Sequence, residues 1–486
     1  MFFIPVSEFG SKRERHNEWY YPVFGDVRMA ACQRLVTMPF WVRVFKLKFY
    51  KMEKIRINVG GIDIGAKRVF TSIEGQPVVS HFTFTEDFFA LRDYLVGHQV
   101  KSIAMEATGV YWVILYEILE EAGIDVWLVD GRQTKQVPGR KTDVKDCQWI
   151  QELHSYGLLK RCLVVGADIK ELRSYLRLRE DHINSSSMHI NQMQKTLTLM
   201  NIRLKEVLSQ IHGVSGLAII EAILAGERDK HKLVRMCHGS VLKKKKELVI
   251  KALEGRYTES GLFALRQAYE GYKFYLKQIE ECDKEINVVM NRIGKSGIGQ
   301  DLKKKRKAVR HNKPNVEKLG PNLLNVFGGK DATLISGITD YTWMQLLAET
   351  GSDLTRWPNE KYFTSWLGLS PGQNNSGKKM RNARKKGRPK AGQIFRIIAQ
   401  GLINSKDIAI GSFGRRIRGR KGPRIAIKAM ARKIAVLYYR VMVNGLEYAE
   451  KGIKHYEEQI VLNKMKTVNR LAKELNLNIT EKQCVA

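Results

Sequence analysis

Between residues 56 and 156, some segments repeat apolar residues with the period of β-strands and others with the period of helices. Short runs rich in β-branched residues and longer helical stretches follow in the order β-β-β-α-β-α-β, and one more helix comes after them. The predicted strands are 56–64, 69–73, 78–84, 102–107 and 124–129, and the predicted helices are 86–96, 110–122 and 143–156. This order predicts one α/β domain over residues 56–165.

Heptad spacing replaces this pattern farther along the chain. Apolar residues recur at alternating steps of three and four from Leu172 to Val207 and again from Leu262 to Ile293, which is the spacing of coiled-coil helices. Polar residues, among them Arg179 and Asp283, interrupt the two registers. A long coiled-coil region is therefore expected over residues 166–300, and its two helices either pair as an antiparallel arm or mediate dimerisation.

The flanking segments have other characters. The chain ahead of Met52 shows neither periodicity nor a motif, so residues 1–55 are expected to be a dispensable or even untranslated extension. After the heptads comes a linker at 301–330, whose run at 303–313 is basic and poor in apolar residues. Short helical patterns then predict an all-α domain at 331–445 and a helical tail at 446–486.

The net charge narrows the class of partner. The 486 residues include 83 Lys and Arg against 49 Asp and Glu, a formal charge of +34, and such a surface gains free energy by displacing counterions from phosphates. Nucleic acid is the expected partner. The six cysteines form no C-x-x-C pair, which argues against a disulfide framework or a zinc site and fits a cytoplasmic, nucleoid-associated protein. No apolar run approaches the ~18 residues of a membrane span, so no membrane partner is expected.

Four acidic residues carry the most specific chemical signal. Asp63 and Glu106 lie inside predicted apolar strands, where an unpaired carboxylate is costly to bury. The element order matches the ribonuclease-H arrangement, in which these two strands are neighbours, and Asp143 and Asp146 lie one turn apart on the helix that follows. Taken singly, each acid is better explained as a polar residue at a strand end or in a first helical turn. Together they predict a catalytic oxygen-ligand site for Mg²⁺ or Mn²⁺.

Two glycine-rich segments resemble phosphate loops but lack the rest of an ATPase site. Gly61 to Gly65 (GIDIG) resembles the first phosphate loop of the actin, hexokinase and Hsp70-like ATPases, yet the sequence holds no convincing repeat of the domain. Gly372 to Lys379 (GQNNSGKK) nearly matches a P-loop, but Lys379 replaces the hydroxyl residue that binds Mg²⁺. Ser376 has glycine and lysines beside it, and residue chemistry alone leaves it either a nucleophile or part of a surface turn.

Two basic clusters near the C-terminal end provide candidate contacts for phosphates. Such contacts give affinity without base specificity, and a solvated charge run is the alternative. Glycine, proline and apolar helices interleave with the charge here, which favours a folded binding surface. The predicted nucleic-acid-binding residues are Lys378, Lys379, Arg381, Arg384, Lys385, Lys386, Arg388, Arg415, Arg416 and Arg418.

The chain resembles the DEDD-type insertion-sequence transposases, a family of bridge-RNA-guided serine recombinases, over about residues 56–445. In the first half the resemblance rests on GIDIGAKR, AMEATGVYW and GRKTDVKDCQWI, and in the second half on LISGITDYTWMQLLAETGSDLTRW and SWLGLSPGQNNSGKK. It implies that Ser376 matches the serine that becomes covalently linked to a DNA strand. It also implies a RuvC-like, metal-binding domain whose acidic tetrad is Asp63, Glu106, Asp143 and Asp146.

The same resemblance implies the partners of the protein. These are donor and target DNA, a structured noncoding guide RNA, and further copies of the chain in a homodimer or homotetramer whose subunits combine their sites. Two other functions stay open at this point. One is a RuvC-type structure-specific nuclease that hydrolyses DNA with metal and water, and the other is a nucleic-acid-binding protein without catalytic activity.

Overall fold

The structure, a computed structural model, describes residues 53–134, 142–295, 302, 312–371, 374–376, 379–381, 389–405 and 409–477. The chain divides into two compact units, with the boundary between Val164 and Val165. The extension predicted ahead of Met52 and most of the basic run of the linker lie outside the described residues. The first unit holds the mixed α/β sheet, whereas the exact bounds of the predicted domains stay predictions.

A mixed five-stranded sheet forms the first unit. Its strands are β1 (Val59–Ile64), β2 (Arg68–Ile73), β3 (Val79–Phe82), β4 (Ser102–Glu106) and β5 (Asp125–Val129). The spatial order is β3-β2-β1-β4-β5. β1 pairs antiparallel with β2 and parallel with β4, and β4 pairs parallel with β5. The five predicted strands and their order along the chain are confirmed.

Helices cover the sheet, which explains why its central strands are apolar on both faces. The helices of this unit are α1 (Thr85–Gly97), α2 (Trp112–Glu121), α3 (Gly131–Thr134) and α4 (Asp143–Ser155). Ile62, Ile103 and Leu91 are completely buried between the layers. Sequence reasoning predicted all of these helices within a few residues except the one-turn α3, which is too short to produce a periodic signal.

Two long helices dominate the start of the second unit. They are α5 (Ala167–Leu199) and α10 (Glu259–Ile293). They run antiparallel, because Arg292 near the end of α10 bonds Asp168 near the start of α5 at 2.9 Å, and His189 stacks on Tyr275 farther along. The predicted helices are present, although α5 ends at Leu199 rather than continuing to residue 207. That these helices form a coiled coil stays a prediction.

The polar interruptions of the two heptad registers are partners of each other. Arg179 Nε donates to the Asp283 carboxylate at 2.5 Å, and both side chains are almost completely buried. Asp283 also accepts from the backbone N–H of Asn315 at 2.9 Å, while Arg179 donates to the carbonyl oxygen of Asn312 at 2.9 Å. Each charge is therefore compensated inside the helix pair.

A small helical core lies between the two long helices in sequence. It contains α6 (Leu204–Val207), α7 (Val214–Leu224), α8 (Lys230–Arg235) and α9 (Gly239–Ala252). Their apolar residues, such as Ile219, Leu233 and Val249, share one buried cluster with the adjoining ends of α5 and α10. Because these helices are short, the heptad pattern that predicted the long helices gave little indication of this core.

Where the structure describes it, the rest of the second unit is helical apart from one hairpin. The helices are α11 (Leu319–Val326), α12 (Asp340–Thr350), α13 (Glu360–Trp366), α14 (Lys390–Leu402), α15 (Ala409–Lys421), α16 (Pro423–Asn444) and α17 (Leu446–Glu474). Strands β6 (Asn374–Ser376) and β7 (Lys379–Arg381) pair antiparallel. The expectation of an all-α domain is therefore wrong at this hairpin. No helix in the described part of the chain is long and apolar enough to span a membrane.

Candidate active site

Asp63 and Glu106 are placed side by side by the register of two parallel strands. The last paired residues of β1 and β4 are Ile62 and Met105, so Asp63 and Glu106 are the next residues on neighbouring strands. Residues at equal register on parallel strands point to the same face of a sheet. Both acidic side chains are half-buried. The structure thus brings these two predicted site residues together at one end of the sheet.

Helix α4 lies on the same face, and a glycine allows it to do so. A Cβ atom on Gly61 would lie 2.3 Å from the backbone nitrogen of Gln151 and 2.4 Å from the carbonyl oxygen of Cys147, both in α4. Residues 61 and 63 face the same side of β1 because side chains alternate along a strand. Gly61 therefore lets the helix backbone contact the strand beside Asp63. Sequence reasoning noticed this glycine only as part of a phosphate-loop pattern.

The first turn of α4 carries the other two acids. Thr142 caps the helix by accepting from the Lys145 N–H at 3.3 Å, and this fixes where the turn begins. Asp146 is half-buried, whereas Asp143 is exposed. Burial, together with the charges of Asp63 and Asp146, raises the pKa of the Cys147 thiol to about 12. Asp63 and Asp146 therefore lie near the same thiol, which stays protonated at neutral pH.

Glu106 is held by the segment that follows β5 as well as by its own strand. Thr134 Oγ1 donates to Glu106 Oε2 at 2.8 Å, and Thr108 Oγ1 donates to Oε1 at 3.4 Å. A Cβ atom on Gly131 would lie 2.3 Å from Oε1, so only glycine fits there without moving the carboxylate. Neither Gly131 nor Thr134 stood out in the sequence, because their role depends on contacts across 25 or more residues.

The donor set of this region suits a hard cation. Its charged ligand candidates are carboxylates, and the neighbouring thiol is protonated, which leaves oxygen donors of the kind that Mg²⁺ and Mn²⁺ prefer. Within the described ranges, no group of three or more His, Cys, Asp or Glu side chains is assembled closely enough to hold a metal ion. Asp63 lies near Glu106 and near Asp146, whereas Asp143 is exposed in the first turn of α4.

Ser376 and the basic residues lie in the second unit. Ser376 is the last residue of β6 and pairs with Lys379 at the start of β7, which continues to Arg381. Five of the predicted phosphate contacts lie outside the described residues: Lys378, Arg384, Lys385, Lys386 and Arg388.

The three predicted phosphate-contact arginines of α15 differ in their surroundings. Arg415 donates to the Ser405 carbonyl oxygen and to Ser412 Oγ, and Arg418 donates to Asn404 Oδ1 at 3.1 Å. These two arginines therefore hold the end of α14 to α15. Arg416 is exposed and lines a groove.

Comparison with known families places these features in a class. Residues 60–202 match a family model for DEDD transposases of the IS110 type, and this range includes the four acids. Residues 332–411, which include Ser376, match a second model described as the Transposase IS116/IS110/IS902 family. The class that both matches define is the transposases.

More narrowly, the two matches support an IS110-type DEDD transposase. This confirms the resemblance found in the sequence, and the family implies DNA as a partner. No curated protein matches the chain. Neither family match extends beyond residue 411, so the matches carry no information on the function of the helices that follow.

Proposed function

We propose that the protein cuts and rejoins DNA strands to move an insertion sequence, with a divalent metal site in its first unit and a serine nucleophile in its second. The observation that carries this proposal is the register of β1 and β4, which sets Asp63 beside Glu106. Two carboxylates on one face repel unless a cation or a proton reduces their charge. A site for a divalent cation accounts for their shared position.

The metal ligands in this proposal are Asp63, Glu106, Asp143 and Asp146. When bound, Mg²⁺ or Mn²⁺ would polarise a scissile phosphate and stabilise negative charge on its oxygens. The protein's own part is to hold the carboxylates in place before DNA arrives. Thr134 fixes Glu106 through a hydrogen bond of 2.8 Å, and the close packing at Gly61 fixes α4 on β1.

Ser376 is the proposed nucleophile. Its Oγ attacks the phosphorus of the scissile phosphodiester, a serine–phosphate bond forms, and the bond to the leaving sugar oxygen breaks. The serine proton passes to solvent or a base, and the departing strand gains a hydroxyl end. In the second step a hydroxyl end from another strand attacks the same phosphorus, which rejoins DNA in a new pairing and releases Ser376. No energy source is needed, because one phosphodiester replaces another.

The architecture proposed for this enzyme is a ribonuclease-H-like, RuvC-like first unit and a coiled-coil arm that supports a homodimer or homotetramer. The order β3-β2-β1-β4-β5, with β2 antiparallel to its neighbours, supports the first part. The antiparallel α5 and α10 support the second. Guidance by a structured noncoding RNA rests on the family resemblance and agrees with the formal charge of +34.

The deciding experiment compares Ser376→Ala with Asp63→Asn in a strand-transfer assay. The full chain is incubated with Mg²⁺, donor and target DNA, and the noncoding RNA transcribed from beside the element. Products are separated on denaturing gels that detect protein–DNA adducts. Both variants should lose recombination, and Ser376→Ala should also lose every adduct. Ser174→Ala and Asp93→Asn remove a hydroxyl and a carboxylate from exposed helical positions and should keep full activity.

The outcomes separate this function from its alternatives. If Ser376→Ala still cuts DNA at the wild-type rate and the wild type yields no adduct, the protein is a hydrolytic nuclease. If Asp63→Asn keeps full activity, the acids are not catalytic, and the protein acts by binding alone.

A further inference from the structure

A cationic groove lies between α15 and the tail helix α17. Its volume is about 910 Å³. Five of the ten lining side chains are Lys or Arg and none is Asp or Glu. The lining residues are Ser412, Phe413, Arg416 and Arg420 from α15, and Asn463, Lys464, Lys466, Thr467, Val468 and Arg470 from α17.

We infer that this groove binds the phosphate backbone of a nucleic acid strand, which makes the tail helix part of the substrate-binding surface. The inference rests on the proposed function in one respect, namely that nucleic acid is the substrate. It goes further by assigning the binding to a named groove and to residues of α17, which the family matches do not cover.

Helical periodicity shows that the positive charges face the groove together. Arg416 and Arg420 are four residues apart on α15, and Lys466 and Arg470 are four apart on α17, so each pair lies on one face of its helix. By contrast, Arg418 donates to Asn404 and so serves the fold. The arginines of α15 are thus divided between a structural group and a group that lines the groove.

Among the residues that the structure describes, few acids compensate the cations of the groove. Arg470 lies 3.8 Å from Glu474 in an exposed pair one helical turn apart, and such pairs contribute little. Like charges on two facing walls repel across distances shorter than the screening length, which is about 10 Å at 0.1 M salt. A phosphate backbone in the groove relieves this repulsion and releases condensed counterions from the nucleic acid.

The pKa of Lys433 depends on the charges in and beside the groove. Its Nζ lies 5.1 Å from the ring centroid of Phe413, which is one of the lining residues. Burial, together with the positive charges of Arg416 and Arg440, lowers the pKa of Lys433 to about 8. An anion in the groove therefore has to raise this pKa back toward its usual value. Phe413 also provides an aromatic surface of the kind on which bases stack in strand-binding grooves.

The test compares two triple variants that lose the same charge. Lys464→Gln/Lys466→Gln/Arg470→Gln neutralises the α17 wall, and Lys243→Gln/Lys244→Gln/Lys246→Gln neutralises three exposed lysines of α9. The full chain is titrated with single-stranded DNA, duplex DNA and single-stranded RNA at several salt concentrations, with divalent metal chelated. Circular dichroism confirms that each variant keeps its helix content.

We expect the groove variant to bind at least tenfold more weakly at 0.1 M salt. The slope of log K against log salt should fall by about 0.9 for each lost duplex phosphate contact, or about 0.7 for a single strand. The α9 variant should keep the wild-type slope. Equal losses in both variants mean that only net charge matters, and an unchanged groove variant means that the groove does not bind; either result overturns the inference.

Protection of Lys433 from acylation is a second readout that needs no substitution. At pH 8 an amine-acylating reagent should modify Lys433 readily, because the Lys433 amine is neutral in a large share of the molecules. Bound oligonucleotide should reduce modification of Lys433 and Lys464 severalfold while Lys243 stays unchanged. Unprotected Lys433 contradicts the inference. The DNA and RNA titrations identify which strand occupies the groove, and the chelated metal keeps the result independent of Ser376 chemistry.

Discussion

The carboxylates at the acidic end of the sheet and the carboxylate at the centre of the long helix pair have opposite electrostatic surroundings. Asp283 faces a guanidinium at 2.5 Å and a backbone N–H at 2.9 Å. Asp63 and Glu106 instead lie beside each other, and Asp63 and Asp146 both act on one thiol. An acid with its own cation stabilises a fold, whereas neighbouring acids are suited to binding a cation from solution.

Breaking the compensated pair should have the largest effect on stability. Arg179→Met leaves Asp283 charged and buried inside the helix pair, and we expect the free energy of unfolding to fall by about 3–5 kcal/mol. Urea denaturation followed by circular dichroism measures this loss. The double variant Arg179→Met/Asp283→Leu should recover most of it, because no unpaired charge remains buried. A double variant as unstable as the single one would contradict this account of the pair.

At the sheet, Gly61→Ala should damage both stability and activity. The added Cβ meets backbone atoms of α4 at 2.3 and 2.4 Å, which have no rotamer by which to move away. We expect a loss of about 2–3 kcal/mol and strand transfer reduced at least a hundredfold, since α4 carries two of the proposed ligands. Gly97→Ala is the matched control because nothing lies within 4 Å of its Cβ. Wild-type activity in Gly61→Ala would show that the position of α4 does not matter.

How much the sequence predicted depends on the range of the interaction involved. The strands around Asp63 and Glu106 produce a local periodic signal, and their order predicted correctly that the two acids would be neighbours. The close contact at Gly61 joins residues about 90 positions apart, so no local pattern indicates it. Likewise, Arg179 and Asp283 each interrupt a heptad register, and only their contact in the structure explains both interruptions.

The hairpin at Ser376 and the groove at α17 were missed for different reasons. Asn374 to Arg381 shows no alternation of apolar and polar residues and has a glycine at its centre, so it carries none of the usual strand signals. The tail was predicted as an amphipathic helix without a chemical motif. Its cationic residues gain significance only opposite Arg416 and Arg420, which another helix contributes.

The stability of the first unit should depend on pH because of one buried histidine. His154 is completely buried, and burial together with the positive charge of Arg56 lowers its pKa to about 4. In the unfolded chain His154 binds a proton near pH 6.5, whereas in the folded chain it binds one only near pH 4. The free energy of unfolding therefore falls as the pH decreases from 6.5 to about 4. The loss is at most about 3 kcal/mol, from 1.36 kcal/mol per pKa unit.

Hydrogen exchange of the amides in β4 and α4, measured from pH 7 to pH 4.5, checks this dependence. His154→Gln removes the titrating group while its amide can still bond Ser102, whose hydroxyl lies 2.9 Å from His154 Nε2. Protection in the variant should change less with pH than in the wild type. Identical profiles would show that other groups cause the acid sensitivity.

The smallest expected effect tests the comparison between the two groups of carboxylates most closely, because it concerns the hydrogen bonds that hold Glu106. Thr134→Val removes the 2.8 Å hydrogen bond to Glu106 and keeps the shape of the side chain, whereas Thr108→Val removes only the 3.4 Å bond. We expect Thr134→Val to cost about 1 kcal/mol of stability and to reduce strand transfer several-fold, with a smaller effect at Thr108. Raising the Mg²⁺ concentration should restore part of the activity of Thr134→Val, since a less well-held ligand weakens metal binding before it affects the chemical step. Activity that does not respond to Mg²⁺ would mean that Thr134 serves the fold around α3 and not the carboxylate.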